Sequence, residues 1–229
     1  MIARLVALIA WFFVAFQVYT AGYAPMTAIF QRSIHLGFVL LLLFLTVPVS
    51  KRFPPWLRWL LDGVLIAATL VVVGYLYTNY DAIMDRFGWW EPTDVWLGAL
   101  ATLLVLEATR RAIGWPMTLI AAFFLAYAYF GPYFPGVFAH KGYGFERLFT
   151  QLYLTTEGIF GLPLGVAATF VFIFILFGAL LEATGAGKFF IDLAYALAGQ
   201  SRGGPAKASV ISSAFMGSLS GSAIANVVT

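Results

Sequence analysis

The 229-residue chain is 62% hydrophobic and only 10% charged, where soluble globular domains run at roughly 45–50% and 25%, and no water-soluble fold hides that much apolar surface. Its formal charge of +3 comes from 13 Lys and Arg scattered as singles and pairs between apolar runs, a topology signal that excludes a nucleic-acid partner. The absence of cysteine excludes disulfides, thiolate metal sites and cysteine nucleophiles.

The composition predicts an all-α, polytopic membrane protein, and a crossing needs about 20 mainly apolar residues. In chain order the candidates are Ile2 to Thr20, Ile34 to Val49, Trp59 to Tyr80, Val95 to Ala108, Trp115 to Tyr133 and Leu164 to Leu181. The first has one Arg but no small-residue cleavage site, and further spans follow it. It is a retained helix, not a signal peptide.

Arg4, Lys51, Arg52, Arg58, Arg110 and Arg111 fall on one side of the first four spans, against Arg32 and Arg86 on the other. The positive-inside rule then puts the N-terminus in the cytoplasm and returns the chain there after span four. Glu107 sits three and four residues before Arg110 and Arg111, as Asp62 sits four after Arg58, so both acids read as helix-end ion pairs.

After span five, Gly131, Pro132, Pro135 and Gly136 break the chain into an outer loop that runs on to Arg147. From Phe145 to Phe160 charged and apolar residues interleave, the pattern of a helix lying along the interface. Span six follows, flanked by Glu157 and Glu182. Lys188 to Ala198 is a short apolar helix containing Asp192, and Gly199 to Pro205 is a basic turn rich in helix breakers.

From Ser209 to Thr229 there are six Ser, three Ala, two Gly and one Asn, too polar for an ordinary span. Irregular backbone at membrane depth must be buried in protein or line a wet cavity. Transporters use such breaks to present carbonyls and helix ends to ions and substrates. Gly217, Ser218, Ser220, Gly221, Ser222 and Asn226 are therefore candidate ion- and substrate-binding residues, their hard oxygens suited to Na⁺. Gly217-x-x-x-Gly221 equally fits a close helix–helix contact, and the residues leave both readings open.

His35 and His140 have no second ligand at helical spacing, which argues against a metal centre other than a Na⁺ site. The chain contains neither H-E-x-x-H nor G-x-x-x-x-G-K-[ST]. G-x-S-x-G fails because position 219 is Leu, so no enzyme and no resident cofactor are expected.

Several runs resemble the fused permeases of TRAP transporters, the tripartite ATP-independent periplasmic systems. They are Gln31-Arg32-Ser33-Ile34-His35-Leu36-Gly37-Phe38, Leu106 to Trp115, Gly142-Tyr143 with Gln151 to Gly161, Gly185-Ala186-Gly187 with Phe189 to Leu193, Gly203 to Lys207, and Ser220 to Thr229. The most similar branch uses a TAXI-type periplasmic substrate-binding protein. The resemblance implies an elevator-type fold in the bacterial inner membrane that imports an organic acid with Na⁺. It also implies a four-helix small-subunit-like unit over residues 1–113. Residues 114–229 would then begin the large unit, with interfacial arm helices carrying Glu157 and Asp192 and a partial re-entrant hairpin at residues 217–226. The family continues well beyond Thr229, so the resemblance implies an N-terminal portion; a non-catalytic membrane scaffold is the alternative.

Overall fold

The computed structural model describes residues 2–50, 53–86 and 88–220. Ten α-helices carry the described chain: α1 (Ile2–Gly22), α2 (Ala28–Thr46), α3 (Pro55–Asp85), α4 (Pro92–Ala112), α5 (Trp115–Phe130), α6 (Phe145–Leu154), α7 (Leu162–Val166), α8 (Phe172–Ala183), α9 (Ala186–Ala198) and α10 (Gly204–Ser220). A π-helical turn, Ala167–Val171, links α7 to α8. No strand occurs among the described residues. The fold is all-α, and two compact units divide it, residues 1–168 and 169–229.

Five helical segments are long and apolar enough to cross a membrane: Ile2–Gly22, Ala28–Thr46, Pro55–Asp85, Trp115–Tyr133 and Leu162–Leu181. Six were expected, and α4 is the one that does not qualify. It is a continuous helix of 21 residues, but Asp94, Glu107, Arg110 and Arg111 lower its apolarity. Its Gly98, Ala99, Ala101 and Thr102 are buried against neighbouring helices, so protein surrounds the face that an ordinary span would turn to lipid. The chain is a multi-pass membrane protein.

In the first unit α1 packs on α2, α2 on α3 and α4, α3 on α4, and α4 on α5 and α6. The core gathers Leu40 and Phe44 of α2, Val72 and Leu76 of α3, Leu104 of α4 and Tyr153 of α6. Outside and inside are inverted relative to a soluble protein. Trp11 is 75% exposed, whereas Gln17, Thr69 and Asp94 are at or below 1%. Lipid takes the large apolar side chains, and the bundle interior must satisfy the polar ones.

The outer loop holds its shape through His140, whose ring bonds to the Tyr127 carbonyl at 3.1 Å and accepts from the Gly142 amide at 3.1 Å. Helix α6 is amphipathic, as expected: Thr150, Tyr153 and Leu154 are buried while Glu146, Arg147 and Gln151 are exposed. It ends six residues short of Phe160, and Glu157 lies in the turn that follows instead of on a helix. Burial raises the Tyr153 phenol above its usual range, with Tyr75 and Asp94 adding to the effect. The neutral hydroxyl donates to the Val72 carbonyl at 2.6 Å, which ties α6 to α3.

Candidate functional site

The second unit presents a helical hairpin of α9 and α10, with α8 packed against both. Gly203 takes a positive φ of 71° in the connecting turn, a conformation that costs an L side chain about 1 kcal/mol or more. A Cβ on Gly204 would collide with the Gly199 carbonyl. Such closeness requires small residues, and Ala194, Ala198 and Ala208 are buried along the hairpin while Phe190 stacks on Phe215 with centroids 5.6 Å apart.

Of the expected ion and substrate residues, Gly217, Ser218 and Ser220 lie on α10, which runs unbroken to Ser220. An irregular backbone was expected here, and the described part of the segment is helical. The reason lies in composition: Ala and Ser without β-branching tolerate a helix, and a serine hydroxyl can turn back on the preceding turn, as Ser209 Oγ does toward the Ala206 carbonyl at 2.9 Å. Gly221, Ser222 and Asn226 lie outside the described residues. Asp192 is exposed on α9.

The first unit holds a second polar assembly, between α1, α2 and the turns at the two ends of α7. Phe13, Gln17 and Thr20 form the buried face of α1. Gln17 Nε2 donates to His35 Nδ1 and to the Ala168 carbonyl, both at 2.8 Å. An amide nitrogen only donates, so Nδ1 accepts and the ring carries its proton on Nε2. Gln31 Nε2 reaches the same carbonyl at 3.4 Å, and Arg32 Nη1 donates to the Phe160 carbonyl at 2.7 Å. A Cβ on Gly165 would stand 2.7 Å from the Arg32 guanidinium, so glycine is what lets the arginine lie against α7.

Sequence reasoning passed over Gln17 and treated His35 only as a poor metal ligand. The available signal was a lone amide inside an apolar run, which is costly in hydrocarbon and marks a partner or a function. Gln17 Oε1 is buried without a hydrogen-bond partner among the described residues. Replacing Gln17 with Leu removes two bonds worth roughly 0.6 kcal/mol each in membrane proteins but also removes that orphan acceptor. Relief of the orphan offsets part of that loss, so the expected net loss is at most about 1 kcal/mol, read as a fall in Tm of no more than about 2–4 °C in detergent.

Two ionic clusters close the ends of the α2–α4 bundle. At one end Glu107 binds Arg110 Nε and Arg111 Nε, each at 2.7 Å, as the spacing predicts. Asp62, however, pairs with Arg111 Nη1 at 2.7 Å and not with Arg58. Burial explains the exchange, since the Arg111 side chain is 1% exposed and needs two carboxylates as well as the Val47 carbonyl. At the other end Asp94 accepts from the Tyr75 hydroxyl at 2.7 Å, from Arg86 and from the Glu91 amide. Among the described residues no three His, Asp or Glu side chains gather as a metal site.

A family model, that of the tripartite ATP-independent periplasmic transporter, DctM component, matches residues 100–229, more than half of the chain. No curated protein and no solved structure matches it.

Proposed function

Because the chain belongs to the DctM-component family of tripartite ATP-independent periplasmic transporters, a family of transporters and not of enzymes, we propose that it is the N-terminal part of a Na⁺-coupled permease. The permease imports an organic acid delivered by a periplasmic substrate-binding protein of the TAXI type. The observation that carries this reading is the match over residues 100–229, which spans the Gly217–Asn226 segment with its hard oxygen donors. These residues contribute to a coupling-ion and substrate site, and Na⁺ is the ion their oxygens suit.

Residues 1–113 are a small-subunit-like unit and 114–229 the start of the large one. Supporting that division, α1 to α3 lie outside the matched residues. The surplus of Lys and Arg at one end of the bundle supports a cytoplasmic N-terminus in the inner membrane.

The test is uptake into proteoliposomes by the full transporter with its binding protein. A Na⁺ gradient is expected to drive accumulation of a carboxylate, and uptake unchanged after the gradient is collapsed sinks the coupling. Ser222→Ala and Asn226→Ala are expected to lower uptake by about tenfold, the effect of removing about 1.4 kcal/mol of ion or substrate binding. A scaffold, the reading favoured by the ion pairs that close both ends of the α2–α4 bundle, would keep its activity in both variants.

A further inference from the structure

A cavity of about 230 Å³ opens at the end of the bundle where α2 finishes and α3 begins, lined by Leu45, Thr46, Pro48, Arg58, Trp59 and Asp62. Among the described residues its polar chemistry reduces to one cation without a carboxylate partner. Asp62 is engaged by Arg111 at 2.7 Å, and Thr46 Oγ1 spends its hydrogen on the Leu42 carbonyl at 2.7 Å. Arg58 has no carboxylate partner among the described residues. Helix α3 begins without a side-chain cap and without an acid in its first turn, so its positive end adds to the Arg58 charge instead of being neutralised. The ion pairs Asp62–Arg111 and Glu107–Arg110 cancel, which leaves the Arg58 charge uncompensated among the described residues. The site is cationic.

Its surroundings say in what medium it works. Trp56 and Trp59 are 67% and 54% exposed, and Leu60 and Val64 continue the outward apolar stripe along α3. Tryptophans beside a basic group mark the headgroup level of a bilayer, and the stripe below offers a path for an acyl chain.

We propose that this cavity binds the phosphate of an acidic phospholipid, with Arg58 as the charged donor, Trp59 as the interfacial wall and the start of α3 as the dipole facing the anion. An arginine that contacts lipid phosphate is expected to contribute roughly 1 kcal/mol, a fivefold change in retention. The test uses the purified full chain in detergent, titrated with phosphatidylglycerol and read by native mass spectrometry. Wild type is expected to retain one lipid through delipidation, Arg58→Gln to retain it about fivefold less, and Arg147→Gln, on α6, to match wild type. Equal retention by Arg58→Gln overturns the proposal, and so does displacement of the lipid by inorganic phosphate, which would identify a site for a free anion. Should Arg58→Gln melt below wild type, Arg58→Lys decides: retention with the charge kept supports the site, and loss overturns it.

Discussion

Replacing Arg111 with Ala is expected to lower the stability of the first unit by about 3–5 kcal/mol, the cost of stranding a buried charge. The Arg111 side chain is 1% exposed and serves Asp62, Glu107 and the Val47 carbonyl while its Cζ lies 4.9 Å from the Phe44 ring centroid. Its removal leaves the Asp62 carboxylate buried without its partner, and three helix ends lose their common anchor. Glu107 suffers less because Arg110 remains at 2.7 Å and both are partly solvated. The measurement is a detergent melt of the single variants and of Arg111→Ala with Asp62→Ala. If the ion pair is the cause, the double variant recovers part of the loss, because neither charge is then left alone. A double variant that loses the sum of both singles would mean that the arginine acts through packing alone.

The second large effect is expected at Gly98. A Cβ built there stands 2.5 Å from the Phe149 carbonyl oxygen, so the backbones of α4 and α6 touch with nothing between them. A carbonyl cannot swing aside as a side chain can, and overpacking costs about 1–3 kcal/mol. Gly98→Val belongs at the upper end of that range. The separation would also pull Tyr153 away from the Val72 carbonyl. Gly74, in α3, has no atom within 4 Å of a built Cβ, and Gly74→Ala is expected to be neutral or to gain up to about 1 kcal/mol from helix propensity. Melting the two variants side by side separates close packing from a general intolerance of glycine replacement.

Both positions bear on what was legible in the sequence. The spans could be read because 20-residue apolar runs have few alternatives, and Glu107 with Arg110 and Arg111 because neighbours on one helix are set by spacing. Asp62 had a neighbour at the same spacing and took a partner 49 residues away, which local spacing cannot foresee: the deeper charge claims the carboxylate. Helix α4 failed as a span for a related reason, since its polar residues are satisfied by neighbours and not by shedding charge. Gln17 carried a signal as a lone amide in an apolar run, but its partner could not be read from spacing, being a carbonyl 151 residues away. At the expected ion site the Gly and Ser residues were legible as a type of surface, open to a binding break or a close helix contact. Through Ser220 the backbone took the helical form, and Gly221, Ser222 and Asn226 keep their role as a proposal.

The Gln17 contacts also bear on how the protein is made. His35 follows Gln17 by 18 residues and Ala168 by 151. At roughly 5–20 residues per second, the ribosome delivers the histidine within a few seconds and the carbonyl only some 8–30 s after the glutamine. The amide therefore leaves the insertion machinery with one partner close behind it and the other not yet translated. The first hairpin, α1 with α2, enters the bilayer holding a half-occupied polar group whose open hydrogen waits for the turn that follows α7. Folding of this unit ends where translation of its last residues ends, with the amide donor of the first helix among the last to gain its second acceptor.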